Sequence, residues 1–198
     1  MLHAFKVGAY LIRLKNRANV DFSNFITYNK KSKQNEKGQL QLMLIRRAKE
    51  TDLEGINNLL YQVLMIHHQG RPDLFKAGNK KYTDEELKAI IHNDKTPIFV
   101  SVDNTDNVQG YAFCIFQQHQ NHNILTDIKT LYIDDLCVDE SLRGKHIGTQ
   151  LYEYVRNFAK EQHCYNITLN VWNCNESAKK FYETCGLLPQ KIGMEEIL

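Results

Sequence analysis

The sequence predicts an α/β (α+β) fold. Most of this prediction comes from an apolar strand, Leu131–Val138, followed by a basic turn, Arg143–Gly148, and an amphipathic run over residues 149–162. A strand that breaks into a glycine-containing turn and then a helix aims several backbone N–H groups at a phosphate, and Arg143 and Lys145 add positive charge. The stretch therefore predicts a site for a phosphorylated ligand.

The elements that precede this stretch begin with Leu44–Arg47, which is predicted as the first strand. Apolar residues then recur at helical spacing over residues 51–67, with Thr51 as the expected cap. Thr83 and Glu86 form a capping box that opens a second helix.

Strand patterns follow the second helix. Residues 97–102 and 108–116 predict a hairpin, and residues 128–138 are its expected partner strand. After the amphipathic run comes another apolar strand, Asn166–Trp172. The last predicted helix runs from Asn175, placed to cap it, to Gly186, placed to end it.

Length and composition limit the class of protein. The chain has 198 residues, of which 42% are hydrophobic and 24% charged, as is ordinary for a soluble globular domain. No apolar run approaches the ~20 residues of a membrane span. The five cysteines contain no C-x-x-C pair, so reduced thiols, and with them a cytoplasmic location, are expected.

The balance of basic and acidic residues changes at residue 42. Residues 1–42 contain eight Lys and Arg and two acidic residues, whereas residues 43–198 contain 17 and 21. Residues 1–42 are therefore predicted to be a basic N-terminal extension, either disordered or an upstream artefact, and residues 43–198 the folded domain. The alternative is that the extension tethers the domain to an anionic surface.

The order of strand, R-G-x-x-I-G turn, helix, strand and N-E-S-A-x-x-F-Y-x-x-x-G helix resembles the acyl-CoA-binding half of the GNAT superfamily of N-acetyltransferases. Within the superfamily, Leu131–Val138 is most similar to the corresponding strand of the diamine acetyltransferases of the spermidine/spermine type. The resemblance covers residues 43–198 and implies the GNAT fold. This fold has a mixed, mostly antiparallel central sheet that is splayed between its fourth and fifth strands, with helices on both faces. It also implies acetyl-CoA as the co-substrate.

The resemblance assigns a cofactor site residue by residue. The pantetheine arm is expected along the main chain of Leu136, Cys137 and Val138. The pyrophosphate is expected at the start of the following helix, where the turn would wrap it with Arg143, Gly144, Lys145, His146, Ile147 and Gly148. Asn175 and Lys179 are expected near the cofactor.

His146 departs from the family pattern Q/R-x-x-G-x-G/A, because it stands where the central glycine normally does. Glycine there permits a positive φ and a close backbone approach, whereas histidine reaches positive φ only at some cost. Since the main-chain N–H survives the substitution, CoA binding is expected to survive as well.

Two residues are expected to act in catalysis. Tyr182 matches the family tyrosine that hydrogen-bonds the CoA sulfur, so it should assist the departing thiolate. Asp134 matches an acidic residue of the diamine acetyltransferases that is a candidate base, which would accept the proton of the amine through a water molecule. The alternatives are that Tyr182 only packs its helix on the sheet, and that Asp134 and Asp135, expected on opposite faces of the strand, cap loops or pair with a lysine.

The acceptor site is expected near Asp135, His67, Arg71 and Asp73. The alternative for His67 is that a histidine at a helix C-terminus more often only interacts favourably with the helix dipole. The histidines in loops lack ligand spacing, so no metal is predicted. No basic stripe accompanies the aromatic residues, so no nucleic acid is expected, and no membrane is expected for residues 43–198.

These observations together predict an acetyl-CoA-dependent N-acetyltransferase in which a primary amine attacks the thioester directly. The expected acceptor is a small molecule, polyamine-like or amino-sugar-like. Two alternatives stay open: a peptide or protein amine as the acceptor, and a non-catalytic acyl-CoA-binding sensor with His146 as the sign of lost turnover. A homodimer is expected by resemblance.

Overall fold

The computed structural model describes residues 43–78 and 80–198, so the predictions for residues 1–42 lie outside the described residues. Five strands, four α-helices and two 3-10 turns make up the described part of the chain. In chain order they are β1 (Leu44–Arg47), a 3-10 turn (Glu50–Asp52), α1 (Leu53–Gly70), α2 (Asp84–Ile91), β2 (Ile98–Val102), β3 (Val108–Gln118), β4 (Lys129–Val138), a second 3-10 turn (Glu140–Leu142), α3 (Ile147–Glu161), β5 (Asn166–Leu169) and α4 (Glu176–Thr184).

The five strands form one sheet in the order β1-β2-β3-β4-β5. The first four strands pair antiparallel, and β5 pairs parallel to β4. A parallel pair needs a crossover connection, which α3 supplies. This mixed, mostly antiparallel sheet confirms the fold class that the sequence predicts.

Helices cover both faces of the sheet. On one face, Ile56 and Leu59 of α1 and Leu87 of α2 are buried in one apolar cluster. On the other face, Tyr152 and Val155 of α3 belong to a second cluster, against which α4 also packs. None of the helices in residues 43–78 and 80–198 is long and apolar enough to cross a membrane.

The starts of α1 and α2 differ in how well the sequence predicts them. The capping box of α2 is confirmed: the Thr83 hydroxyl accepts from the Glu86 N–H at 3.2 Å, and the Thr83 N–H donates to Glu86 Oε2 at 2.8 Å. The predicted cap of α1 is wrong, because Thr51 lies inside the first 3-10 turn. Asp52 stands at the N-cap position of α1 without a side-chain cap hydrogen bond, and its carboxylate instead accepts from the Lys49 N–H at 2.7 Å.

The two ends of α4 are built as the sequence predicts. Asn175 Oδ1 accepts from the Ala178 N–H at 3.1 Å and so caps the first turn. Gly186 has a φ of 90° and ends the helix. Its N–H donates to the Glu183 carbonyl at 2.9 Å, and the Leu187 N–H donates to the Tyr182 carbonyl at 3.1 Å, which together make a Schellman motif.

A β-bulge interrupts β4 in the middle of the sheet. Phe113 and Cys114 on β3 are consecutive, yet they pair with Asp135 and Ile133, so Asp134 is the extra residue on β4. The extra residue reverses the alternation of side chains along the strand. Before the bulge, Ile133 packs in the α3 cluster, and after it Cys137 packs in the α1 cluster.

Candidate active site

The pairing between β4 and β5 stops halfway along β4. The last parallel pair is Ile133 with Leu169, whereas β4 continues to Val138. The Asp139 N–H donates to the Gln109 carbonyl of the neighbouring segment at 3.0 Å. Because main-chain groups of an antiparallel pair alternate in direction, those of Cys137 also point toward β3, while those of Leu136 and Val138 point toward the gap beside β5.

This alternation refines the predicted cofactor contacts. Leu136 and Val138 have main-chain groups directed into the gap, whereas Cys137 does not. The Cys137 side chain is buried beneath α1, where Sγ lies 3.7 Å from the Leu59 carbonyl oxygen. The predicted main-chain contacts with a pantetheine arm therefore fall on Leu136 and Val138.

The turn after β4 is held in place at its start. The Asp139 carboxylate accepts from the Ser141 N–H at 2.9 Å and from Gln62 Nε2 of α1 at 3.2 Å. Gly144 and His146 then adopt φ values of 80° and 63°. His146 thus takes the left-handed conformation that the glycine of the family pattern would adopt more easily.

The N-terminus of α3 comes close to the end of β4. A Cβ atom on Gly148 would lie 3.4 Å from the Phe181 ring and 3.6 Å from Val138 Cγ2, so a larger side chain would separate α3 from β4 and α4. The first N–H groups of an α-helix have no acceptor within the helix, and the helix dipole favours an anion there. The end of the gap is therefore suited to a phosphate.

Tyr182 lies on α4, the helix that packs on the same face as α3. Burial, and after it the charge of Asp135, raise the pKa of Tyr182 above its ordinary value. The phenol therefore keeps its proton at neutral pH and is a hydrogen-bond donor. Where the CoA sulfur lies relative to this donor stays a prediction.

The bulge brings Asp134 and Asp135 together instead of separating them. Lys81 Nζ lies 3.1 Å from Asp134 Oδ2 and 3.9 Å from Asp135 Oδ2. The prediction that the two carboxylates point to opposite faces is therefore wrong, because the extra residue breaks the regular alternation of the strand. The alternative that they pair with a lysine is confirmed as a contact.

Asp135 is the more enclosed of the two carboxylates. Its side chain is 12% exposed, against 30% for Asp134. The Tyr111 hydroxyl donates to Asp135 Oδ2 at 2.9 Å. Burial raises the pKa of Asp135, while the charge of Lys81 and the hydrogen bond from Tyr111 act against this rise.

The predicted acceptor residues after α1 fall into two groups. His67 packs on Phe75 with ring centroids 4.9 Å apart, and burial lowers the pKa of His67 against the opposing charge of Asp135. Arg71 binds Asp73 and, through a second pair, Glu195 of the C-terminal segment, each at 2.7 Å. The charges of Arg71 and Asp73 are thus engaged with each other and with the C-terminal segment.

Sequence reasoning missed several residues around the aspartates. Lys81 lies in a run of lysines that has the pattern of a solvated loop, and Tyr111 lies in an apolar strand that has the pattern of core. The ring of Trp172 meets Phe75 edge to face at 5.3 Å, next to His67. A tyrosine within a buried strand was the one local signal for a polar partner.

Three further expectations concern the cofactor and metals. Asn175 is engaged as a cap, and the Lys179 N–H donates to the Asn175 carbonyl one turn later at 3.1 Å. Contact of either side chain with a cofactor stays a prediction. In the ranges 43–78 and 80–198, no group of three or more His, Cys, Asp or Glu side chains could hold a metal ion.

A mixed sheet with an interrupted β4–β5 pair, and a helix N-terminus at the end of the interruption, is the arrangement expected of the acetyltransferase class. The family model described as Acetyltransferase (GNAT) family matches residues 63–187, more than half of the chain. The chain belongs to this family.

Individual relatives support the same family. Glucosamine 6-phosphate N-acetyltransferase of Arabidopsis thaliana is 34% identical over 68 residues, which are 34% of this chain and 44% of that protein. Probable glucosamine 6-phosphate N-acetyltransferase of Drosophila melanogaster is 24% identical over 146 residues, which are 73% of this chain and 60% of that protein. A crystal structure of a mutant BH1408 protein of Bacillus halodurans matches with a TM-score of 0.75 and 32% identity, over 78% of this chain and 99% of that chain.

The matched region spans less than two thirds of each of these two curated relatives. The resemblance to the GNAT superfamily is confirmed at the level of family and fold. The finer resemblance to diamine acetyltransferases is not supported by these relatives, since both are named for an amino-sugar phosphate.

Proposed function

We propose that the protein is an acetyl-CoA-dependent N-acetyltransferase whose acceptor is the primary amine of a small molecule. The observation on which this proposal rests is the gap beside β4, bordered by main-chain groups of Leu136 and Val138 and ending at the N-terminus of α3. A long pantetheine arm joined to a pyrophosphate needs such a groove with an anion site at one end.

Transfer in this site would be direct. The amine nitrogen attacks the thioester carbon, the carbon–sulfur bond breaks, and the CoA thiolate departs. A hydrogen bond from Tyr182 strengthens as charge develops on the sulfur. Since the pKa of Tyr182 is raised, this hydrogen bond, and not full proton transfer, is the assistance it offers.

The proton of the amine needs a destination. An alkyl amine of pKa ~10.4 costs roughly 4 to 5 kcal/mol to neutralise at pH 7, so such an acceptor calls for a base. Asp134 is the base that the family resemblance implies. The structure favours Asp135 for the role, because burial raises its pKa and a more basic carboxylate accepts a proton more readily at neutral pH.

The names of the relatives support an amino sugar phosphate as the first acceptor to test. The names state what those two proteins act on, and the match covers only part of each of them. A polyamine is the second class to test, because Asp134 and Asp135 are a pair of carboxylates beside the gap.

A thiol-release assay with acetyl-CoA tests the proposal. Glucosamine 6-phosphate, glucosamine, spermidine and a lysine-containing peptide form the panel, and release without amine is subtracted. Thiol release with a small amine, accompanied by an acetylated product in mass spectrometry, would support the proposal. Calorimetric binding of acetyl-CoA without release across the panel would favour the non-catalytic sensor.

A further inference from the structure

Lys81 places its ammonium group in surroundings suited to a cation. Nζ lies 3.1 Å from Asp134 Oδ2 and 3.9 Å from Asp135 Oδ2. The same atom lies over the rings of Tyr82 and Phe113, 5.2 and 6.0 Å from their centroids. These are distances at which the negative face of an aromatic ring attracts a cation. Two carboxylates and two aromatic faces thus hold one primary ammonium group.

This ammonium position adjoins the place where transfer would occur. Asp134 and Asp135 directly precede Leu136, whose main-chain groups point into the gap beside β5. A strand rises about 3.3 Å per residue, so the carboxylates lie one or two residues from the predicted path of the pantetheine arm. The reacting nitrogen of an acceptor must come within about 3.5 Å of the thioester carbon, and it therefore needs the same surroundings.

Lys81 is able to leave this position. Its side chain is 39% exposed and lies in the loop before α2. The four-carbon stem of a lysine is flexible, so the ammonium group can move without a change in the sheet. Asp134 and Asp135, in contrast, are fixed on β4, where the Tyr111 hydroxyl also holds Asp135.

We propose that Lys81 is a specificity-determining residue that competes with the acceptor, because its ammonium group occupies the position beside Asp134 and Asp135 that the acceptor's primary ammonium group takes before transfer. This inference rests on the proposed function, since it places the acceptor beside the thioester. It assigns the acceptor to the class of primary ammonium compounds.

The test compares Lys81→Met with the full-length protein in the thiol-release assay, using butylamine as a plain primary amine. If Lys81 occupies the position for nine-tenths of the time, its removal lowers KM for butylamine about tenfold and changes kcat less than KM. Lys81→Arg is expected to raise KM, because a planar guanidinium pairs with carboxylates at two points. A KM that stays the same or rises in Lys81→Met overturns the proposal.

Lys80→Met is the matched control, because the neighbouring lysine pairs with Asp84 instead, at 3.0 Å. This variant is expected to keep the KM of the unmodified protein. A fall in KM equal to that of Lys81→Met would mean that loss of any nearby positive charge suffices, and would also overturn the proposal.

Calorimetric titration of butylamine into the CoA-bound protein separates this inference from the proposed function. Tighter binding to Lys81→Met without thiol release from any amine would overturn the proposed transfer and support competition for the ammonium position. Thiol release by the unmodified protein, together with equal binding of butylamine to both proteins, would support the proposed function and overturn the competition.

Discussion

The phenol of Tyr182 is the single group to which the proposed chemistry assigns help for the leaving thiolate. Tyr182→Phe should lower kcat about 10- to 100-fold, because a hydrogen bond to a charged group contributes roughly 1.5 to 3 kcal/mol. The affinity for acetyl-CoA should change little, since the thioester carries no charge before transfer. Thiol release gives kcat, and calorimetry gives the affinity.

Tyr61→Phe is the control for this substitution, because Tyr61 is 52% exposed on α1 and has no part in the site. It should leave both quantities unchanged. An equal loss of kcat and of acetyl-CoA affinity in Tyr182→Phe would remove the tyrosine from its assigned role and leave it as a packing residue.

Asp135 links the site to pH. Burial raises its pKa in the folded protein, so over a range that begins near pH 4 the folded chain holds a proton that the unfolded chain has released. The free energy of unfolding should therefore fall as pH rises through this range, by up to about 1.4 kcal/mol for each unit by which the pKa is raised.

Asp135→Asn removes this dependence and keeps an acceptor for the Tyr111 hydroxyl. Urea unfolding of both proteins from pH 4 to 8 measures the effect. The variant should gain stability relative to the unmodified protein as pH increases. A difference between the two proteins that does not vary with pH would contradict the assigned burial effect.

The turn between β4 and α3 stores backbone strain at His146. A left-handed conformation costs a residue with a Cβ atom about 1 to 2 kcal/mol in the folded chain. A glycine avoids this cost, but its greater conformational freedom in the unfolded chain lowers the free energy of unfolding by about 0.5 to 1 kcal/mol. His146→Gly should therefore raise the free energy of unfolding by about 0.5 to 1 kcal/mol, as measured by urea unfolding.

Two alanine substitutions, a test and its control, measure the backbone strain of the turn separately. Gly144→Ala adds a Cβ in open space at a φ of 80°, so it should destabilise the fold by about 1 kcal/mol through the backbone alone. Gly193→Ala also adds a Cβ in open space but at an ordinary φ, and should be neutral. Equal effects of the two substitutions would show that the turn is not strained.

Elements with local causes were predictable from the sequence. The strand β1 is found at the predicted residues, and the Thr83 capping box and the Asn175–Gly186 helix have the predicted ends, because each depends on residues a few positions apart. β5 ends at Leu169, before the predicted Trp172, because the end of a strand depends on the partner it pairs with.

The bulge and the acceptor side of the site could not be predicted, because both depend on residues that are distant in sequence. A bulge exists only between two paired strands, and its pattern in a single strand resembles regular alternation. The contact of Lys81 with Asp134 joins residues 53 positions apart, and that of Tyr111 with Asp135 joins residues 24 apart. The cofactor side was predicted more fully, since its turn and helix are contiguous in sequence.

On the scale of the whole molecule, residues 43–198 contain a hydrophobic core. Its two apolar clusters, one under α1 and one under α3, together cover both faces of the sheet. The fragment 43–198 should therefore unfold in a single cooperative transition and bind acetyl-CoA within about twofold of the full chain. Calorimetry and urea unfolding of both proteins check this expectation.

Failure of the fragment to fold, or a large loss of its acetyl-CoA affinity, would assign residues 1–42 a part in the domain. Salt-sensitive binding of the full chain to anionic vesicles, absent from the fragment, would instead support the tether. A cytoplasmic location and a homodimer stay predictions of the sequence.

The interruption between β4 and β5 also bears on how an empty molecule behaves in solution. Past Ile133, β4 has an unpaired edge without a β5 partner. Unpaired edges can pair with strands of other chains, which is the first step of aggregation. Charged side chains on the strand, such as those of Asp134 and Asp135, are one means by which proteins discourage this pairing. A bound coenzyme would cover the unpaired edge of β4. Protein stored without the coenzyme should therefore lose monodispersity sooner than protein stored saturated with the coenzyme.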